Sequence, residues 1–185
     1  MSDRVSLSLW LRGFTAHNMF RHFGKVLEKF PYSRLSPEAC LRVYAIEFQE
    51  PPLVERYFEQ DAEANAVIQA AKEFAHEDCA YQLDCFWDLW QFDGEWALRP
   101  SPVSIICFAP LFENGYGEHI RLELGDERMY VPEASLKAAT PVRSNVRSVL
   151  HLASDMDETL AVERRAIWTE TGENLADRLK ELITD

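Results

Sequence analysis

The stretch YQLDCFWDLWQFDGEWALR, residues 81–99, decides how the rest of the chain is read. Leu83, Cys85, Trp87 and Leu89 alternate with Asp84, Phe86, Asp88, Trp90 and Phe92, a period of two that sends successive side chains to opposite faces of a strand. Asp93-Gly94 then suits a type I′ turn, whose central residues both need positive φ, so the segment predicts a β-hairpin. With Asp93 and Gly94 as the loop, Phe92 faces Glu95, Trp90 faces Ala97 and Asp88 faces Arg99 as an ion pair, while Leu89, Gln91, Trp96 and Leu98 take the other face.

Working back from the hairpin, Val5, Leu7, Leu9 and Leu11 alternate with Ser6, Ser8 and Trp10 as a strand with one buried face. Met19, Phe20, Phe23, Val26, Leu27 and Phe30 share one helical face, with Thr15 or Asn18 as cap, Pro31 as stop and Gly24 as a place for close packing. Leu41 to Phe48 reads as a strand ended by Pro51-Pro52, and Leu53 to Phe58 as either a second strand or the start of a helix. Asp61 caps an Ala-rich helix carrying Val67, Ile68, Ala71, Phe74 and Ala75 on one stripe.

Forward from the hairpin, Val103 to Phe108 is a short strand apolar on both faces. Ile120, Leu122 and Leu124 begin a second hairpin that turns at Gly125-Asp126 and sets Leu122 opposite Met129. Val142, Val146, Val149 and Leu150 read as helix, residues 154–168 as helix or strand, and Leu175, Leu179, Leu182 and Ile183 as a last helix. The expected fold is α+β: a ferredoxin-like split βαβ (βαββαβ) core over residues 1–92, antiparallel hairpins over 95–132 and a mainly helical tail over 133–185, in one domain.

Composition narrows the function. Thirty-one acids against 19 bases give a net charge of −12, which opposes binding to phosphate backbones, so nucleic acid is not an expected partner. No run approaches the roughly 20 apolar residues of a membrane span, and no signal-like segment opens the chain. Cys40, Cys79, Cys85 and Cys107 lie far apart without a CxxC pair, so free thiols in the cytoplasm are expected.

Candidate chemistry is sparse. His76, Cys79 and Cys85 offer zinc-type donors, but a fourth ligand is missing and Cys85 belongs with Leu83, Trp87 and Leu89 on a core face. Asp155, Asp157 and Glu158 read as the first turn of a helix capped by Ser154 rather than as oxygen ligands for a metal. His17, Arg21, His22 and Lys25 gather near the start of the first helix, where an anion would be favoured. Asp84 and Asp88, four apart on a strand, stand roughly 13 Å from each other, too far for a paired-carboxylate hydrolase. No phosphate-cradling, nucleophile-elbow or HExxH pattern occurs, and neither a metal nor a cofactor is expected.

What remains is a face. Phe86, Trp90 and Phe92, interleaved with Asp84 and Asp88, form an aromatic strand surface suited to a protein partner or a second copy of the chain. The expected function is therefore a non-catalytic interaction or assembly protein, homodimeric or with another protein. The alternative is a small-molecule-binding protein or enzyme with a pocket between the sheet and the C-terminal helices, lined by His151, Asp155 and Asp84.

Overall fold

In a computed structural model that describes residues 3–60, 63–131, 140–172 and 174–184, the chain forms a two-layer α+β fold. The elements in chain order are β1 (Arg4–Leu11), α1 (Met19–Lys29), β2 (Ala39–Ala45), β3 (Val54–Phe58), α2 (Ala64–Lys72), β4 (Cys79–Asp93), β5 (Glu95–Phe108), β6 (Ile120–Asp126), a 3-10 turn (Glu127–Met129), α3 (Thr140–Thr159), β7 (Val162–Thr169) and α4 (Ala176–Thr184). The seven strands make one antiparallel sheet in the order β3-β2-β4-β5-β6-β1-β7.

One face of this sheet carries the core. Leu7, Leu9, Leu41, Val43, Leu83, Cys85, Trp87, Ile105 and Leu122 join Phe23 and Val26 of α1, Val67 of α2, Val146 and Val149 of α3 and Leu179 of α4 in one buried cluster. The period-two reading of β1 holds, with Val5, Leu7, Leu9 and Leu11 all buried. Gly24 lets α1 approach α2 closely, since a β-carbon there would sit 3.4 Å from Ile68 Cγ1. Asn18 stands at the α1 N-cap position but bonds backward, accepting from Thr15 N–H (2.8 Å) and donating to Gly13 O (2.8 Å). Of residues 53–58, Val54–Phe58 resolve as strand; Asp61 lies outside the described residues.

The sheet order departs from the ferredoxin-like expectation. A split βαβ core sets the first strand against the fourth, whereas β5 and β6 here stand between β1 and β4. The physical reason is that β5, continuing directly from the hairpin, pairs along the whole length of β4 and takes that edge. β1 is then held between β6 and β7, with Leu7 opposite both Leu122 and Ile167.

Two local expectations also fail. Both edges of β6 are used by β5 and β1, so Met129 has no edge to pair with, and Leu122 faces Ile105 and Leu7 instead. The chain leaves β6 through Gly125 (φ +92), where a β-carbon would meet Met129 Cε at 2.6 Å and Ser101 Oγ at 2.9 Å. The tail is helical over α3 and α4, and between them β7 adds an edge strand whose run Glu163-Arg164-Arg165 hides its alternation and blunts the edge. Ser154 sits inside the 20-residue α3, not at a helix start.

β2 ends at Ala45, three residues short of the expected Phe48. Ile46 takes φ +69, an uncommon conformation for a β-branched residue, and Glu47 N–H bonds back to Ala45 O at 2.7 Å to close a tight γ-turn.

Candidate functional site

The β4–β5 hairpin decides what the other face of the sheet presents. β4 alternates cleanly, which aims Tyr81, Leu83, Cys85, Trp87 and Leu89 at the helices and Asp84, Phe86, Asp88, Trp90 and Phe92 away from them. The cross-strand register differs by one residue from the type I′ expectation. Asp93 pairs with Glu95 around Gly94 (φ +78), so Phe92 faces Trp96, Trp90 faces Leu98 and Asp88 faces Pro100. A single glycine at the tip, rather than an Asp-Gly pair, reverses the parity of β5 and moves Trp96 and Leu98 onto the same face as Phe92 and Trp90.

The expected Asp88–Arg99 pair is consequently absent. Arg99 approaches Asp93 at 3.5 Å, while Asp88 accepts from Ser33 Oγ–H and from Arg34 N–H at 2.8 Å. Ser33 N–H also bonds Phe86 O at 2.8 Å. Farther along, buried Asn145 of α3 accepts from Trp90 N–H (2.9 Å) and donates to Trp90 O (2.8 Å) and Met129 O (3.0 Å). The edge of β4 beyond the end of β2 is thus satisfied by side chains and a loop.

A cavity of about 1360 Å³ lies over this face. Its floor is ionic: Asp84 accepts from Ser104 Oγ–H (2.5 Å), from Gln82 Nε2 (2.9 Å) and from Arg42, whose Nε also donates to Glu55 Oε1 (3.0 Å). Tyr57 O–H donates to the other Glu55 oxygen at 3.1 Å. These partners hold Glu55 below the usual carboxylate range, the Arg42 bond contributing most, and raise Arg42 in turn. The wall is aromatic: Phe86 and Trp90 are half-buried, Phe92 is 48% exposed, and Trp96 packs on Phe92 with ring centroids 5.4 Å apart. Leu98, 44% exposed, extends the apolar surface. Among the described residues, no residue of α1 to α4 lines the cavity.

At the β6-β1-β7 end the same face is roofed. Arg121 lies among the rings of Phe108 (5.2 Å), Tyr116 (5.8 Å) and Trp168 (5.5 Å) and pairs with Glu118, which is 1% exposed. Trp168 Nε1–H donates to Ser8 Oγ at 2.9 Å. Tyr116 and Phe112 come from the β5–β6 connection, which lies over this end.

The structure therefore brings Phe86, Trp90, Phe92, Asp84 and Asp88 onto one face but separates the small-molecule set. His151 and Asp155 (Nε2 to Oδ2 3.6 Å) stand on the outer side of α3, across the sheet from Asp84. Among the described residues, the space between sheet and helices is filled by core side chains. His76 is exposed against Asp78 at 2.5 Å, while Cys79 and Cys85 are buried in the core, and among the described residues no cluster of metal donors forms. His17 and His22 diverge, the first exposed and the second buried. Burial raises the thiols of Cys40, Cys85 and Cys107 and pushes Cys79 up to about 11, leaving no activated nucleophile among them. No helix of the described residues is long and apolar enough to cross a membrane.

Sequence reasoning missed Trp96 and Leu98 because their face turns on one tip residue. It missed Arg42, Glu55 and Tyr57 because β2–β3 pairing is what aligns them; the pattern Val54-Glu55-Arg56-Tyr57-Phe58 was the available signal. No protein-family model matches the chain, and no curated protein or solved structure is significantly similar to it.

Proposed function

We propose that the protein is a non-catalytic interaction protein that binds a partner protein, or a second copy of itself, through the open face of its sheet. The observation that carries this reading is the aromatic surface of the β4–β5 arm, from Phe86 to Leu98, left uncovered by every described helix. An apolar surface rich in Trp and Phe and rimmed by paired charges has the composition of an interface centre. Asp84 and Asp88 frame this surface rather than act on a ligand, because their oxygens are occupied by Ser104, Gln82, Arg42, Ser33 and Arg34.

A small ligand in the same cavity is the weaker reading. Small-molecule pockets run to about 300–1,000 Å³ and enclose most of their ligand. The cavity here exceeds that range at about 1360 Å³ and lies open along a sheet, which suits an extended segment or a facing surface. The four cysteines are buried and unpaired, in keeping with an intracellular setting.

The test is Phe92→Lys and Leu98→Lys, each placing a charge on a half-exposed apolar position. Both variants are expected to keep the wild-type unfolding midpoint and to lose association in sedimentation velocity or in recovery of the partner. A wild-type chain that stays monomeric at high concentration, and recovers no partner that the variants lose, counts decisively against the proposal.

A further inference from the structure

The cavity over the open face of the sheet carries a charge imbalance. Three arginines line it, and each is already paired: Arg4 with Glu123 (3.2 Å), Arg42 with Glu55 (3.0 Å) and Asp84, and Arg128 with Asp126 (2.7 Å). Two further carboxylates of the lining, Glu38 and Glu59, have no cationic partner among the described residues.

The β2–β3 register brings these two together. Ala39 pairs with Phe58, so Glu38, one residue before β2, and Glu59, one residue after β3, leave the strand pair at the same end. Both are exposed. The Ser36 hydroxyl donates to Glu38 at 2.6 Å and holds its carboxyl below the usual range, so that charge is present at neutral pH. Like charges at adjoining strand ends repel, and a cation set between them relieves the repulsion. Neighbouring strands lie about 4.8 Å apart, which puts this acidic end roughly 5–10 Å to the side of β4, the strand that carries Phe86, Trp90 and Phe92. Apolar anchor sites and unmatched negative charge therefore share one groove.

We infer that the occupant of this groove is a different, basic protein, presenting a segment whose Lys or Arg meets Glu38 and Glu59 while an adjacent apolar side chain enters the aromatic wall. The inference rests on the interface reading of the same face and adds the chemistry of the partner. A second copy is the poorer match, because it brings the same two carboxylates to a face whose arginines are taken, and each chain has a net charge of −12. That net charge also draws a basic partner in and raises the rate of encounter. The buried apolar anchor supplies most of the affinity, and the charges at the rim select which partner it comes from.

The experiment pans a display library of random twelve-residue peptides against the full chain, then measures the resynthesised winners by calorimetry. The expected winners carry Lys or Arg beside Trp, Phe or Leu more often than the unselected library does. Their affinity should fall as salt rises from about 0.05 to 0.5 M. Glu38→Gln combined with Glu59→Gln should weaken them about fivefold, and Glu59→Gln alone about twofold, with wild-type unfolding midpoints in both cases. Enrichment of neutral or acidic peptides, enrichment of none, or binding that neither salt nor the double variant changes would overturn the inference. A wild-type dimer that Phe92→Lys dissociates also overturns it while upholding the interface reading. Basic peptides that bind Phe92→Lys as tightly as wild type overturn both.

Discussion

Two arginines on the same sheet face, Arg42 and Arg121, are built alike and housed differently. Each lies between two carboxylates: Arg42 between Glu55 and Asp84, Arg121 between Glu118 and Glu123. Arg42 looks into the open cavity with 27% of its side chain exposed, whereas Arg121 is roofed by three rings and retains 15%, over a glutamate that retains none. The contrast teaches what a covering does to an ion pair. In the open half, water solvates whatever the pair does not satisfy, so the network is worth little to folding and is available to a partner. In the roofed half, the charges have lost that solvent and depend on one another.

The comparison can be broken most directly at Glu118. Glu118→Ala leaves the Arg121 charge under its roof without its main partner and should cost about 3–5 kcal/mol, read from urea unfolding midpoints. Removing part of the roof is the next step down. Tyr116→Ala takes away one of three rings over the guanidinium, leaving Phe108 and Trp168, and should cost about 1 kcal/mol. Arg42→Ala in the open half should cost at most about 1 kcal/mol, and that cost should shrink further as salt is added.

Acid sharpens the comparison without a mutation. Burial, with help from Arg21, Lys25 and His119, lowers the pKa of His22, and burial likewise lowers that of His119 against the pull of Glu163 and Glu118. Both ring nitrogens of His22 also lack a hydrogen-bond partner. For a base whose folded pKa is depressed, the unfolded chain binds protons first. Stability is therefore unaffected above the ordinary imidazole range and falls as pH drops through it. The unfolding midpoint at pH 5.5 should lie below that at pH 7.5, and His22→Phe should flatten the difference. An unchanged midpoint would show that neither imidazole resists protonation in the fold.

Much of the core was legible in the sequence, because alternation in β1 and β4 and the helical stripes of α1 and α2 are local properties. The inward row Leu83, Cys85, Trp87 and Leu89 and the outward row Phe86, Trp90 and Phe92 follow from β4 alone. What could not be read is whatever depends on a partner distant in sequence or on a single tip residue. Gly94 decides the face of Trp96 and Leu98, and no periodicity within β5 fixes it, since Pro100 and Pro102 interrupt the pattern. β7 was ambiguous because three consecutive charged residues mask Ile167, its one fully buried apolar side chain. The position of β1 was illegible for a plainer reason: the split βαβ order and the observed order use the same local elements and differ in which edges meet.

That placement of β1 reaches beyond the folded state. β1 is translated before both strands that flank it and acquires those neighbours only when Ile120 and then Val162 have been made, more than a hundred residues after Leu11. At about 5–20 residues per second, the nascent chain carries an unpaired, leucine-lined ribbon on the ribosome for roughly 5–20 s before its first neighbour exists. During that interval Val5, Leu7, Leu9 and Leu11 are a template for any passing edge, and it falls to whatever guards emerging polypeptides in the cell to keep them from finding the wrong one.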